Sequence, residues 1–239
     1  MGYTREQLAA CEGASIPDMI GDDCKLLFVG INPGRQTAMT GIHFAHPSNR
    51  FWPALKKAGI IDWVPNVSPV APAVPLPNRE GRHRGKSWTA ATNSHFCHPS
   101  NRYYPALREA GIIDWVVDPE TGMTDEQRAD LVDKGVGITN LVHRATARAS
   151  ELRRPELEEG RRHVMELVES LRPRVVAVAG VTAYRMAFGD RFATLGEQPE
   201  PIGPATVWVV PNPSGLNAHE TVGSLANWYR RVADEAGLV

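Results

Sequence analysis

Four short stretches of the chain are apolar without alternation: Lys25–Gly30 (KLLFVG), Val136–Thr139 (VGIT), Arg174–Gly180 (RVVAVAG) and Thr206–Val210 (TVWVV). A strand with one wet face alternates, so these runs predict strands covered on both faces, as in a parallel sheet. Helical spacing falls between them. Leu157, Arg161, Val164, Leu167, Val168 and Leu171 recur at helical intervals, opened by Pro155 and stopped by Pro173. Val181–Phe188 and Glu220–Ala236 predict two more helices. Asn49 can cap another that runs to about Ala58, with Pro53 in the first turn, where no backbone donor is needed. The alternation predicts an α/β three-layer sandwich, with a mostly parallel central sheet of about four to five strands flanked by helices. Ligands of such sheets gather outside the carboxyl ends of the strands. Three of the strands are followed by distinctive segments: Ile31-Asn-Pro-Gly34, Asn140, and Pro211-Asn-Pro-Ser-Gly-Leu-Asn217.

The pattern also repeats. Residues 43–64 (HFAHPSNRFWPALKKAGIIDWV) recur 52 positions later as residues 95–116 (HFCHPSNRYYPALREAGIIDWV), identical at 17 of 22 positions. Two copies of one short helix are too few for a solenoid, so a partial tandem duplication is the simplest reading. Pro65 to Trp88 carries prolines at 65, 69, 72, 75 and 77, which predicts an extended linker. Its basic end (Arg79, Arg82, Arg84, Lys86) suits a solvated loop or a contact with phosphates. Residues 1–239 therefore read as a single domain with an inserted segment, 65–116, made of the linker 65–88 and the duplicated helix segment 89–116. Only one copy can fill one helix position. Copy one, joined directly to the Asn32 turn, is expected to dock; the reverse threading would put Phe96 in its place.

Composition narrows the class. The chain has 239 residues, 42% hydrophobic and 22% charged, as globular proteins do. Lys and Arg number 26 against 27 Asp and Glu, which excludes a broadly polybasic protein but not a nucleic-acid enzyme with a local basic patch. Cys11, Cys24 and Cys97 are too few and too scattered for a disulfide framework, a zinc ribbon or a four-cysteine cluster. The first thirteen residues lack the apolar core of a signal peptide, and the longest apolar run, Val175–Val181, is too short for a bilayer. A soluble cytoplasmic protein without membrane association is expected.

Candidate chemistry sits in the segments after the strands. Gly30-Ile-Asn-Pro-Gly34 is a tight turn whose backbone N–H groups can face a pocket. Asn32 can orient a water through its amide oxygen but is no strong base, which suits a good leaving group and a cationic transition state. Alone, Asn-Pro-Gly is an ordinary turn. The second segment puts Leu216 at the tip of a proline-stiffened loop, where it can wedge between base pairs or act as a hydrophobic staple for a helix capped by Asn217.

Taken in order, Leu27-Phe-Val-Gly-Ile-Asn-Pro-Gly34, Gly41-Ile-His-Phe-Ala-His-Pro-Ser-Asn-Arg-Phe-Trp52, Gly137-Ile-Thr-Asn-Leu-Val142 and Val210-Pro-Asn-Pro-Ser-Gly-Leu-Asn217 resemble the mismatch-specific uracil/thymine-DNA glycosylases, of the bacterial Mug and animal thymine-DNA glycosylase type. The resemblance covers roughly Lys25–Val64 and Val116 to the carboxyl terminus. It implies a monofunctional enzyme that flips uracil, and on some substrates thymine or modified cytosine, out of a mispair with guanine and leaves an abasic site. It implies that Asn32 holds the water attacking C1′ and that Phe44 stacks on the flipped base. Backbone groups around Ile31 and Gly34 would read the pyrimidine edge, and Thr37 would line the pocket. Asn140 stands where the thymine-type branch has Asn and the bacterial type has Lys. Ser214, Gly215, Leu216 and Asn217 match the loop that fills the vacated duplex and contacts the opposite guanine. The implied partner is double-stranded DNA with a G·U or G·T mismatch, bound by a monomer that uses no cofactor and no metal.

Other features depart from that pattern or stand beside it. Arg35 replaces a usually apolar residue, which predicts an altered pocket lip or a phosphate contact. Each repeat copy carries His-x-x-His (His43/His46, His95/His98), the basis of an alternative reading as a metal-dependent hydrolase. A DNA-binding relative inactivated by the insertion is another alternative. Arg144, Arg148, Arg153, Arg154, Arg161 and Arg162 form either a phosphate-binding stripe or a solvated face paired with Glu151, Glu156, Glu158 and Glu159.

Overall fold

The computed structural model describes residues 5–46, 48–66, 124–214, 217 and 219–238. The second repeat copy, nearly all of the inserted segment, and Gly215 and Leu216 lie outside the described residues. Numbered along the described chain, the elements are α1 (Arg5–Ala10), β1 (Leu26–Gly30), α2 (Arg35–Thr40), α3 (Phe51–Lys57), α4 (Asp125–Asp133), β2 (Val136–Asn140), α5 (Arg154–Leu171), β3 (Val175–Ala179), α6 (Val181–Phe188), β4 (Gly196–Glu197), β5 (Thr206–Val210) and α7 (Val222–Ala236). The sheet order is β2-β1-β3-β5-β4, parallel except for the two-residue β4, which pairs antiparallel with β5. This is the α/β sandwich that the apolar runs predict, and all four expected strands are present.

Both faces of the sheet are dry, which is why its strands do not alternate. Leu26, Phe28, Ala177, Trp208 and Val210 pack toward α3 and α7, among Phe51, Trp52, Leu55, Leu225 and Tyr229. Leu27, Val29, Val176, Val178, Val207 and Val209 pack the other way, toward Leu157, Val164 and Val168 of α5 and Ala183 and Tyr184 of α6. The amino-terminal segment joins the β2 edge by a short antiparallel bridge: Met19 N–H donates to Ile138 O (3.0 Å) and Ile138 N–H to Met19 O (2.8 Å).

Copy one of the repeat supplies α3, with Phe51, Trp52, Ala54 and Leu55 buried. Asn49 acts one residue further from the helix than a standard cap, its Oδ1 accepting from Phe51 N–H at 2.9 Å. The helix ends at Lys57 rather than about Ala58. The pattern did not predict α1, α2, α4 or β4. These elements are short, and α4 presents only Leu131 as a fully buried anchor among its described side chains. Among the described residues no helix is long and apolar enough to cross a membrane.

Helix α5 seats against the loop after β2 through Gly160. A Cβ there would lie 1.9 Å from Leu141 O and 2.5 Å from its carbonyl carbon. In an unconstrained helix Gly→Ala stabilises by about 1 kcal/mol. At this backbone contact the sign reverses. Gly160→Ala is expected to destabilise the fold by roughly 1–3 kcal/mol, as read from urea unfolding; a more stable variant would contradict the close approach.

Candidate functional site

Strands β1 and β2 end together, with Gly30 opposite Asn140, and the chain segments that follow them stay zipped. Leu141 N–H donates to Gly30 O (2.9 Å), Val142 N–H to Ile31 O (2.9 Å) and Thr146 N–H to Pro33 O (3.3 Å). The Asn32 side chain closes this seam. Its Nδ2 donates to Thr146 Oγ1 (2.8 Å), Pro33 O (3.0 Å) and Arg144 O (3.3 Å). Two of these acceptors are carbonyls, which cannot donate, so the amide has one orientation and its Oδ1 faces away from the seam. Thr146 Oγ1 in turn donates to Arg148 O at 2.9 Å, which fixes it as the acceptor for Asn32.

A second constellation lies over Gly30. A Cβ on that residue would meet Asn140 Oδ1 at 2.4 Å and the tip of the Phe44 ring at 3.2 Å. The missing side chain is what brings amide and ring together above the strand end. Phe44 adopts φ 56°, rare for a bulky residue and strained. Its ring stacks on Phe51 (centroids 4.1 Å apart), and Phe51 meets Phe28, Trp52 and Tyr229 edge-on. The orientation of Asn140 is also determined. His43, buried, pairs through Nε2 with Pro17 O (3.1 Å), a pure acceptor, so Nε2 carries the proton. Nδ1 then accepts from Asn140 Nδ2 at 3.1 Å, leaving Asn140 Oδ1 toward Gly30 and Phe44.

The other expected residues divide. Ile31 is half-buried and packs on the α5/α6 side, its carbonyl already used by Val142. Gly34 is exposed, with open space where a Cβ would be. Thr37 is buried in α2. Ser214 and Asn217 are tied to copy one: Arg50 Nη1 donates to Ser214 O (3.3 Å) and Asn217 O (2.9 Å), and Arg50 N–H donates to Pro213 O (2.8 Å). Asn217 Nδ2 closes the turn onto Asn212 O at 3.1 Å. Gly215 and Leu216 lie between these anchors, outside the described residues. Thr146, His43 and Arg50 are contributions the sequence reading did not assign. For Arg50 there was a signal, since Asn-Arg stands at the same place in both repeat copies.

The electrostatics are local. Arg35 pairs with Glu12 (2.6 Å) rather than reaching toward the turn. In the arginine stripe, Arg144 grips both oxygens of Glu156 through Nε and Nη2, one edge of its guanidinium (2.5 and 3.0 Å), Arg154 pairs with Glu158, Arg162 with Glu159, and Arg161 lies over the Phe188 ring. The glutamate-paired face therefore accounts for three of them, Arg144, Arg154 and Arg162. Burial pushes the Cys24 thiol up to about 11 and raises that of Cys11, so neither is a nucleophile at neutral pH. His43 has both ring nitrogens engaged, while His46 Nδ1 contacts Ser48 Oγ at 2.8 Å. The pair from copy one is therefore not a metal site; His95 and His98 fall outside the described residues.

The sequence model of the family described as "Uracil DNA glycosylase superfamily" matches residues 17–235. Among solved structures, the chain is similar to the solution NMR structure of a "putative Uracil DNA glycosylase" from Methanosarcina acetivorans. Sequence identity is 12% and the TM-score 0.45, over 95% of this chain and 98% of that one.

Arg144, whose carbonyl holds Asn32, is itself held by Glu156. The Arg144 hydrogen bond, aided by Arg153 N–H, keeps the Glu156 carboxyl down at about 2. A depressed carboxylate stabilises the fold above its unfolded range and loses that effect as pH falls through its folded value. In thermal melts from pH 7 to pH 2, the wild-type advantage over Glu156→Gln is expected to be full at neutral pH, to shrink below the ordinary glutamate range and to vanish near pH 2. A flat difference would mean that the pair contributes nothing.

Proposed function

The chain belongs to the uracil DNA glycosylase superfamily, and from that premise we propose that it is a monofunctional enzyme hydrolysing the N-glycosidic bond of uracil mispaired with guanine in double-stranded DNA. Thymine and modified cytosines are further candidates for the excised base. The observation that carries this reading is the Asn32 amide, held by three acceptors with its oxygen turned outward at the carboxyl end of β1.

In this reading a base is inaccessible inside the duplex and is flipped, at a cost smallest for a mismatch. Phe44 receives its face, returning roughly 1–3 kcal/mol of stacking. Asn140 Oδ1, oriented by His43, accepts the N3–H of uracil or thymine and meets the bare N3 of cytosine as a second acceptor. That distinction separates uracil and thymine from cytosine, the normal partner of guanine, and makes a modified cytosine, which keeps the bare N3, the poorer of the further candidates. Asn32 Oδ1 accepts a hydrogen bond from a water whose oxygen bonds to C1′ as the C1′–N1 bond breaks. The bonding pair leaves on the pyrimidine, and the water proton passes to solvent. Asn32 is itself no base, so turnover is slow and depends on the leaving group. Leu216, which stands in sequence between the Ser214 and Asn217 carbonyls that Arg50 ties down, fills the space vacated in the stack, and Ser214, Gly215 and Asn217 face the opposite guanine.

Excision from G·U, G·T and single-stranded uracil oligonucleotides tests the proposal. Wild type should cut G·U, and Asn32→Ala should lose at least ~10²-fold in rate. Thr146→Val, which keeps the shape but removes the acceptor for Asn32, should lose about 10–100-fold in kcat with little change in KM. Undiminished cleavage by Asn32→Ala would sink the mechanism, and inert wild type would leave a DNA-binding relative.

A further inference from the structure

Away from the Asn32 turn, three chain segments that are distant in sequence bring two imidazoles and a carboxylate together. Asp18 precedes Met19, which pairs with Ile138, so the bridge sets Asp18 beside Thr139. Thr139 Oγ1 donates to Asp18 Oδ1 at 2.7 Å. His143 lies on the loop after β2, with Nε2 3.0 Å from Asp18 Oδ1. His163 lies on α5, one turn beyond the Gly160 contact with Leu141, with Nε2 3.4 Å from Asp18 Oδ2. One donor atom from each residue falls within 4.8 Å of the others.

We propose that Asp18, His143 and His163 bind a divalent transition-metal ion, zinc being the best match to two imidazoles and one carboxylate. Bonds of ~2.0–2.2 Å to a tetrahedral ion separate its ligand atoms by about 3.3–3.6 Å, and the present contacts are of that order, 3.0 Å to Oδ1 and 3.4 Å to Oδ2 of the carboxylate. The three donor atoms, all within 4.8 Å of one another, would have to draw together by side-chain rotation to share one ion. The outer shell is in place: Thr139 anchors the carboxylate, as metal-bound carboxylates require. Burial would raise the Asp18 carboxyl, but the hydrogen bonds from His143 and Thr139 outweigh it and keep the group ionised. His143, Asp18 and His163 are 34%, 20% and 38% exposed at the side chain, so an ion can reach them from solvent. Three protein ligands leave a fourth position for water or a further ligand, and both histidines line a cleft of about 610 Å³ with Pro155, Glu159 and Gly160. A bound ion would clamp the amino-terminal segment, the loop after β2 and α5 together. His143 directly precedes Arg144, whose carbonyl holds Asn32, so the clamp bears on the loop that orients that amide.

The test uses the full-length chain stripped with chelator and titrated with Co²⁺, then with Zn²⁺. Wild type should bind one equivalent, giving the visible absorption of Co²⁺ in a nitrogen–oxygen site. Zinc should displace the cobalt and raise Tm. His143→Ala and His163→Ala should each weaken binding at least tenfold, and Asp18→Asn likewise. Circular dichroism of the apo variants checks that they fold, and His163→Gln serves in place of any that do not. No binding by wild type overturns the proposal. So does binding that survives the His143→Ala/His163→Ala double variant, or a thiolate-to-cobalt band that places the ion on cysteine.

Discussion

In the β1–β2 register Gly30 lies directly opposite Asn140, and a side chain at position 30 would put a carbon 2.4 Å from the Asn140 amide oxygen. The site depends on this missing atom. With glycine there, the amide can turn its oxygen over the strand end and Phe44 can lean in from the opposite side. The strain at Phe44 (φ 56°) is carried by the core beneath it. Its ring rests on Phe51, which is locked edge-on between Phe28, Trp52 and Tyr229. A well-packed aromatic floor is rigid, so the ring is aimed before any ligand arrives.

The same economy governs the two amides. Asn32 and Asn140 each have their NH₂ groups bound to acceptors, which turns the oxygen of Asn32 from the seam and that of buried Asn140 toward Gly30 and Phe44. A carboxylate in place of Asn32 would face three acceptors with no hydrogen to give, and the seam between the loops after β1 and β2 would open. The fold therefore requires an amide where a stronger base would speed proton removal. In a glycosidase of the proposed kind, that choice shifts the work onto stabilising the departing base and orienting the water.

The strands, the long helices and the rim to which they lead were legible because both depend on local patterning. Unbroken apolar runs mark strands dry on both faces, and Gly-Ile-Asn-Pro-Gly and Pro-Asn-Pro-Ser-Gly-Leu-Asn stand where a parallel sheet presents its loops. What holds those loops was not legible. Thr146 serves Asn32 across 114 residues and His43 serves Asn140 across 97. Neither belongs to a pattern of its own, and the bridge of Met19 to Ile138 that carries Asp18 to Thr139 leaves no trace in periodicity. The arginine stripe could be read two ways because charge spacing along a helix does not distinguish a paired face from a phosphate-binding one. Only the positions of the glutamates decide it.

The duplication raises a question of energetics, since the chain offers two nearly identical segments for one seat. They differ at five positions, and copy one's residues there are Ala45, Phe51, Trp52, Lys56 and Lys57. The two lysines are exposed, so exchange there changes only the surface, with Glu109 opposing the helix dipole where Lys57 suits it, but Ala45, Phe51 and Trp52 are 0%, 0% and 2% exposed. Copy two would put Cys97, Tyr103 and Tyr104 in those places. The cysteine would overfill a site packed to a methyl group. Each tyrosine would bring a hydroxyl into a buried, mainly aromatic cluster, at roughly 1–3 kcal/mol for each hydroxyl left without a partner. Trp52 also donates its indole N–H to His43 O at 2.8 Å, and a tyrosine ring there would lose that hydrogen bond beside the imidazole that orients Asn140. The substitutions that separate the copies thus fall on the buried wall of the site, and they favour copy one independently of its direct connection to the Asn32 turn.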